Sequence, residues 1–267
     1  MKRTTYILIG LLGAGLLVLI GGMVILSFFG DKTTRNAISL DGEQIEMKLN
    51  GIHAVKVLAS VNQDTELRRM IVDGEMAIVN SPEAGNEFIS FPKSKYVNVM
   101  QRNDTLFVEL NMESNKFSEE ELHGRYFFIE GFNFKLSVDS TLNSISTNLK
   151  NAKLNLKDMH SDSLSIYAGG QHVSLDSCRF RSLAIEGSGC GIYAKGSKIE
   201  NFYLNMDGVN NWTFENSEIG TEFLTGSGSH WNDLQKGECR RVVWMPKTKD
   251  AELKVTLREK SVIDVTP

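Results

Sequence analysis

The side chains able to carry covalent, metal or acid–base chemistry here are three cysteines, five histidines and a scatter of acids. Cys178, Cys190 and Cys239 form no Cys-x-x-Cys pair. His53, His123, His160, His172 and His230 stand at no helical or clustered ligand spacing. A structural or catalytic metal needs such convergence, so no metal and no cofactor is expected. Surface and turn positions account for the histidines. An odd cysteine count leaves at least one thiol unpaired in an oxidising compartment. Cys178 is expected to pack as a small apolar residue, and Cys190, between Gly189 and Gly191, to lie exposed in a turn. Glycan-cleaving β-proteins need acids converging on one outward face. Asp158, Asp162, Asp176 and Glu186 fall at different phases of the pattern described next, so no enzyme is expected. Outward aromatics are the stronger signal. Tyr167, Tyr193 and Tyr203 are candidate partner contacts, because flat rings on a β-face stack on sugars or anchor proteins. Tyrosine is also simply a good strand residue on a half-exposed surface.

These residues sit in a stretch, residues 142–244, whose pattern recurs about every 19 residues, the signature of a stacked array. Ser144 to Leu149, Ser163 to Ala168, Ser182 to Gly187 and Asn201 to Met206 can be laid over one another, each alternating between two faces. A second alternating pair follows in each copy: Leu154/Leu156, Val173/Leu175, Ile192/Ala194 and Trp212/Phe214. The expected columns are Ile145–Leu164–Leu183–Phe202, Thr147–Ile166–Ile185–Leu204, a corner column Met159–Cys178–Ser197–Ser217, and Phe180–Ile199–Ile219. Gly169-Gly170, Gly187-Ser188-Gly189, Asp207-Gly208 and Asn210-Asn211 supply turn chemistry between the strands. A fifth, degraded copy starts near Phe223. The spacing predicts an all-β, parallel β-solenoid of about 19-residue rungs. An antiparallel sandwich also has short alternating strands, but it has no reason to place the same residue type at the same offset. Cys178 and Cys239 then lie about three rungs, roughly 14 Å, apart, beyond the ~7 Å Cα separation of a disulfide.

Ahead of the β-pattern, Met1-Lys2-Arg3 is basic and Tyr6 to Phe29 runs 24 residues without a charge. As a helix that is about 36 Å, longer than the roughly 30 Å hydrocarbon core. The run exceeds the apolar region of a cleaved signal and lacks its small-x-small site. A single transmembrane signal anchor is expected, with Lys2 and Arg3 on the cytoplasmic side. Small residues such as Gly10 and Ala14 give it a face on which helices approach closely. The membrane is therefore the first expected partner.

Residues 1–30 read as cytoplasmic tip and anchor, 31–37 as a linker, 38–141 as an irregular β first half, 142–244 as the rungs, and 245–267 as capping strands. Val97/Val99 and Leu106/Val108/Leu110 flank an Asn103-Asp104 turn and predict a hairpin. Residues 117–123 read as one helical turn or an acidic loop. Lys249, Lys254, Arg258 and Lys260 dot the C-terminal strands, where charge discourages edge pairing. The net charge of −4 and the lack of a basic patch leave nothing that points to nucleic acid.

Three features resemble the auto-transporter adhesin head family known as the GIN domain. They are the opening strand Ile52 to Ala59, the turn and leucine-led strand Asn103 to Val108, and the glycine- and serine-punctuated rungs from Ile145 onward. The resemblance spans about residues 38–265. It implies a bacterial envelope protein and suggests adhesion, and it transfers no site residue, since no matching motif is catalytic. The expected protein is single-pass in the bacterial inner membrane, N-terminus in the cytoplasm and bulk in the periplasm. It serves as an adhesin-like binding or structural module for an envelope polysaccharide or a protein. A sensory or regulatory component acting through a membrane partner is the alternative, and a carbohydrate-active β-helix enzyme the third reading.

Overall fold

A computed structural model describes residues 2–29, 37–61, 69–81, 85–112, 126–234 and 239–257. The chain forms two compact units, Met1–Arg35 and Asn36–Pro267. The first holds one helix, α1 (Lys2–Phe29). Its Thr5–Ile25 stretch, 21 residues, is long and apolar enough to cross a membrane. The large apolar side chains of that stretch are exposed. A helix satisfies every backbone polar group within itself, which is what a lipid environment requires.

The second unit is almost entirely strand. Its first part holds β1 (Ala37–Ser39), β2 (Gln44–Lys48), β3 (Ala54–Val61), β4 (Arg69–Asn80), β5 (Phe88–Pro92), β6 (Val97–Arg102), β7 (Thr105–Met112) and β8 (Tyr126–Val138). Then come β9 (Ser144–Thr147), β10 (Lys153–Lys157), β11 (His160–Gly169), β12 (His172–Asp176), β13 (Arg179–Ser188) and β14 (Cys190–Lys195). The last are β15 (Lys198–Asn205), β16 (Val209–Glu215), β17 (Glu218–Gly226), β18 (Ser229–Leu234), β19 (Cys239–Pro246) and β20 (Glu252–Leu257). One nine-stranded sheet runs β16-β14-β12-β10-β4-β8-β5-β2, with β1 beside β8; the other runs β19-β17-β15-β13-β11-β9-β3-β7-β6. Apolar residues of both sheets make one continuous core. β18 and β20 pair apart from both sheets.

The wholly parallel solenoid expected from the spacing is corrected here: both large sheets are mixed, and neither closes. Pairing is antiparallel where β5 meets β2 and β8, and where β6 meets β7. The reason lies in the connections. A two-residue turn at Asn103-Asp104, with Asn103 at φ 54°, folds β6 straight back onto β7. So short a link joins only antiparallel neighbours, whereas parallel strands need a longer crossover. The 117–123 segment, Arg258 and Lys260 lie outside the described residues.

From β11 through β17 to β19 the parallel register advances by 19 or 20 residues a strand, and the separate β18–β20 pair advances by 23. Leu164 pairs with Leu183 and Leu183 with Phe202. Ile166, Ile185, Leu204 and Leu224 form the next column. In the opposite sheet Leu154–Val173–Ile192–Trp212 and Leu156–Leu175–Ala194–Phe214 stack as spaced. Two expected columns change. β9 pairs two residues further along, so Ile145 lies beside Ile166 rather than Leu164. A slip of two keeps Ile145 facing inward, whereas a slip of one would turn it out. The turn before β9 sets the shift: Thr141 N–H donates to Asp139 Oδ1 (2.9 Å), and Ser165 N–H to Asn143 O (2.9 Å). At the other end Phe202 pairs with Glu222, a buried carboxylate that accepts a 3.0 Å hydrogen bond from buried Asn232.

The corner between the sheets is a column of left-handed residues, Asp158, Ser177, Gly196 and Asn216, at φ 53°, 56°, 58° and 49°. Short polar side chains tolerate this conformation better than bulky ones. The N–H groups of Asp158, Ser177 and Gly196 each donate at 2.9 Å to a carbonyl of the next strand level: Asp176, Lys195 and Glu215. Inside the corner, Ser197 Oγ accepts from Cys178 N–H and Ser217 Oγ from Ser197 N–H, both at 3.1 Å. At a second corner the backbones nearly touch. A Cβ on Gly187 would lie 2.0 Å from Ala168 O, and one on Gly208 would lie 1.6 Å from Gly187 O. Gly208→Ala should therefore cost about 1–3 kcal/mol, the range of other overpacking changes, and Leu183→Ala about 2–5 kcal/mol. Urea unfolding of the two variants beside the parent measures both. A Gly208→Ala midpoint equal to the parent's would mean that the corner has slack.

Candidate functional site

The second sheet bends at one level. Two successive residues there stand clear of the core in each strand: Asp162-Ser163, Arg181-Ser182, Glu200-Asn201 and Gly220-Thr221. Beside the bend an open groove of about 720 Å3 crosses β11, β13 and β15. Arg179, Arg181 and Lys198 bring cationic groups to it, His160 an imidazole, and Asp162 and Glu200 carboxylates. His160, Arg179 and Lys198 are successive ladder partners, so their backbones lie about 4.8 Å apart. Arg179 and Arg181 flank Phe180, which is buried. Lys198 pairs with Glu218 at 3.2 Å. Among the described residues no carboxylate stands within ion-pair distance of Arg179 or Arg181. Sequence reading missed this cluster because no local basic run exists. The signal was the spacing itself, since 160, 179 and 198 follow the step that sets the apolar columns.

The three tyrosines are exposed, at 50% for Tyr167 and 39% for Tyr193 and Tyr203. They do not form one patch. Tyr167 and Tyr203 stand on β11 and β15 of one sheet, and Tyr193 on β14 of the other. The Tyr203 ring stacks on Phe223, centroids 4.6 Å apart and planes 9° apart. The Tyr193 hydroxyl donates to the Glu215 carboxylate, which raises its pKa.

Asp207 anchors a second polar cluster. Its carboxylate accepts from Ser227 N–H (2.6 Å), Lys247 Nζ (2.8 Å) and Ser227 Oγ (3.3 Å), and meets His230 Nε2 at 3.1 Å. The bond from Lys247, then that from the Ser227 N–H, holds the Asp207 carboxyl down at about 2. His230 is half-buried and tied by a ring nitrogen to Asp207 and to Ser227 O, so it is more than a surface histidine. His53 lies 3.6 Å from Asp104, and His160 and His172 are exposed. His123 lies outside the described residues.

Cys178 is buried in the corner as expected, and burial lifts its thiol to about 11. Cys190 departs from expectation. It is fully buried, its Sγ 3.5 Å from Gly208 O, and burial raises its pKa. The chain turns inward one residue early, because β14 already begins at Cys190. Cys239 pairs with Ile219, three ladder steps from the level of Phe180 and Cys178; its side chain lies outside the described residues. Of the four acids considered above, Asp158 stands in the left-handed corner, Asp176 on β12, and Asp162 and Glu186 at opposite ends of β11 and β13. No group of three His, Cys, Asp or Glu side chains converges among the described residues.

No family model matches this sequence. No curated protein matches it either. Solved structures similar to it include a candidate adhesin from Bacteroides fragilis, 14% identical over 82% of this chain and 96% of that one, TM-score 0.48. Another is a candidate lipid-binding protein from Parabacteroides distasonis, 11% identical over 83% and 96%, TM-score 0.44. A candidate adhesin from Parabacteroides merdae is 14% identical over 83% and 98%, TM-score 0.33.

Two outcomes follow from the charges and the thiols. A carboxyl held below the ordinary ~3.9 of aspartate stabilises the fold fully above about pH 5, and that contribution is lost as pH falls from about 4 towards 2. Asp207→Asn should lower the thermal midpoint at pH 7 and flatten its decline across that window, as followed by circular dichroism. Identical curves would show that the cluster contributes nothing. Native protein treated with iodoacetamide at pH 8 should leave Cys178 and Cys190 unmodified by peptide mass analysis, and urea should expose both. Rapid native labelling of either would contradict its burial.

Proposed function

We propose that this chain is a membrane-anchored, extracytoplasmic binding or structural module of the bacterial envelope, adhesin-like, with no catalytic activity of its own. The observation that carries the reading is the Thr5–Ile25 span, with its exposed apolar side chains, joined to a β unit presenting long outward sheet faces. In this reading α1 is a single-pass anchor in the inner membrane, with Lys2 and Arg3 in the cytoplasm. The β unit is read as a parallel β-solenoid of GIN type, with a first portion of mixed pairing. The step of 19 or 20 residues between paired strands supports it. The partner is an envelope polysaccharide or protein met on the outward faces. The dispersal of Asp158, Asp162, Asp176 and Glu186 supports binding over catalysis, because glycoside cleavage needs two carboxyls set across one bond.

The test is in-cell cross-linking and recovery of partners, comparing the full chain with residues 37–267 exported behind a cleavable signal. Envelope glycan or a surface protein recovered equally with both forms is the expected result. A discrete protein partner lost with the helix would replace this reading with a regulatory membrane component. Activity of a C-terminal alkaline phosphatase fusion checks orientation: it should be high, and a silent fusion would overturn the periplasmic placement.

A further inference from the structure

We propose that the groove across β11, β13 and β15 binds an acidic glycan, a chain of sugars carrying spaced carboxylates, with Arg179 and Arg181 as its anchoring pair. The inference rests on the binding-module reading and names the ligand class of one site in it.

Lys195 has a carboxylate partner in Glu215 (3.9 Å), Lys198 in Glu218 (3.2 Å), Lys247 in Asp207 (2.8 Å) and Lys254 in Glu252 (3.9 Å), whereas among the described residues none meets Arg179 or Arg181. Arg179 and Arg181 are exposed and stand on one strand two residues apart, about 6–7 Å along it. Lys198 is a ladder neighbour of Arg179. Like charges on directly opposed strand positions disfavour the sheet, and a bound anion relieves that repulsion. Guanidinium is the side chain best suited to carboxylate, which it grips through two parallel N–H···O bonds.

The rest of the lining selects among anions. Asp162 and Glu200 stand on the strands to either side of Arg181. These carboxylates repel a dense polyanion such as polyphosphate or nucleic acid, whose affinity comes from neutralising closely spaced charges. They accept hydrogen bonds from sugar hydroxyls. Ser140, Thr141, Ser161, Ser163 and Asn143 add hydroxyl and amide groups, which serve a polyhydroxylated chain in both directions. The site is open and runs from strand to strand. One pyranose ring advances a glycan by a length comparable to the strand spacing, so successive sugars meet successive strands. Of the C-terminal lysines, Lys247 and Lys254 are already paired.

The experiment uses the full chain in nanodiscs of zwitterionic phospholipid, titrated calorimetrically with polygalacturonate, with its fully methyl-esterified form and with inorganic polyphosphate. Polygalacturonate should bind, with affinity at least tenfold above the ester and above polyphosphate, and should weaken as salt rises. Arg179→Gln/Arg181→Gln should lose at least tenfold, while Lys249→Gln/Lys254→Gln should bind like the parent. Circular dichroism shows whether the arginine variant is folded. If it is not, the single variant Arg181→Lys replaces it and should lose several-fold, because an ammonium cannot make the paired bonds. Equal binding of acid and ester, equal or tighter binding of polyphosphate, or affinity unchanged in the folded arginine variant would each overturn the proposal. Failure here with envelope partners still recovered by residues 37–267 removes only the groove's ligand. New reducing ends in the bound polymer would instead overturn the non-catalytic reading and leave the site standing.

Discussion

The β unit depends on one constraint: from β12 to β17, and again at β19, each strand must lie on its sheet predecessor at a step of 19 or 20 residues. That step is enforced at the corners, where left-handed residues at 158, 177, 196 and 216 let the backbone turn, and the first three still donate to the next level. If those donors were lost, buried polar groups would go unpaired at a cost of about 1–3 kcal/mol each. If the step slipped by one residue, Leu183 and Ile185 would turn to solvent and Ala184 and Glu186 inward. Core packing and outward chemistry therefore share one cause. The ladder that stacks Leu164, Leu183 and Phe202 also stacks His160, Arg179 and Lys198.

The regular columns were legible in the sequence because identical environments repeat identical demands. Leu156, Leu175, Ala194 and Phe214 face the same interior, and the glycines at 170 and 189 answer the same turn with positive φ. The hairpin at Asn103 was legible for a local reason, a turn residue between two alternating runs. What escaped was set by distant parts of the chain. Nothing near Ile145 announces that the Asp139 turn shifts its pairing by two residues. Nothing near Glu222 announces that Asn232 will meet it in the interior. The antiparallel strands of the first part carry the same alternation as the parallel ones, so periodicity alone could not separate them.

The candidate site was half legible. Tyrosines at 167, 193 and 203 were correctly placed on outward phases, yet phase says nothing about which sheet a residue joins, and they divide between two. The arginines at 179 and 181 form no local basic run, being only two and separated by Phe180. Exposure was misjudged at Cys190 for a related reason. Flanking glycines mark a turn, but not which of its residues is the first to point inward.

The corner geometry also governs how the length of this β unit can change. Because the step is set by paired corners, adding or removing a whole step of residues between two corners changes the number of strands in both sheets by one. Every other inward side chain keeps its face, and the outward columns simply lengthen or shorten. A change of a single residue within a strand reverses the faces beyond it. Length variation that preserves the fold is thus quantised. Sites built from ladder neighbours grow or shrink in whole units of charge, their spacing held at about 4.8 Å by the backbone.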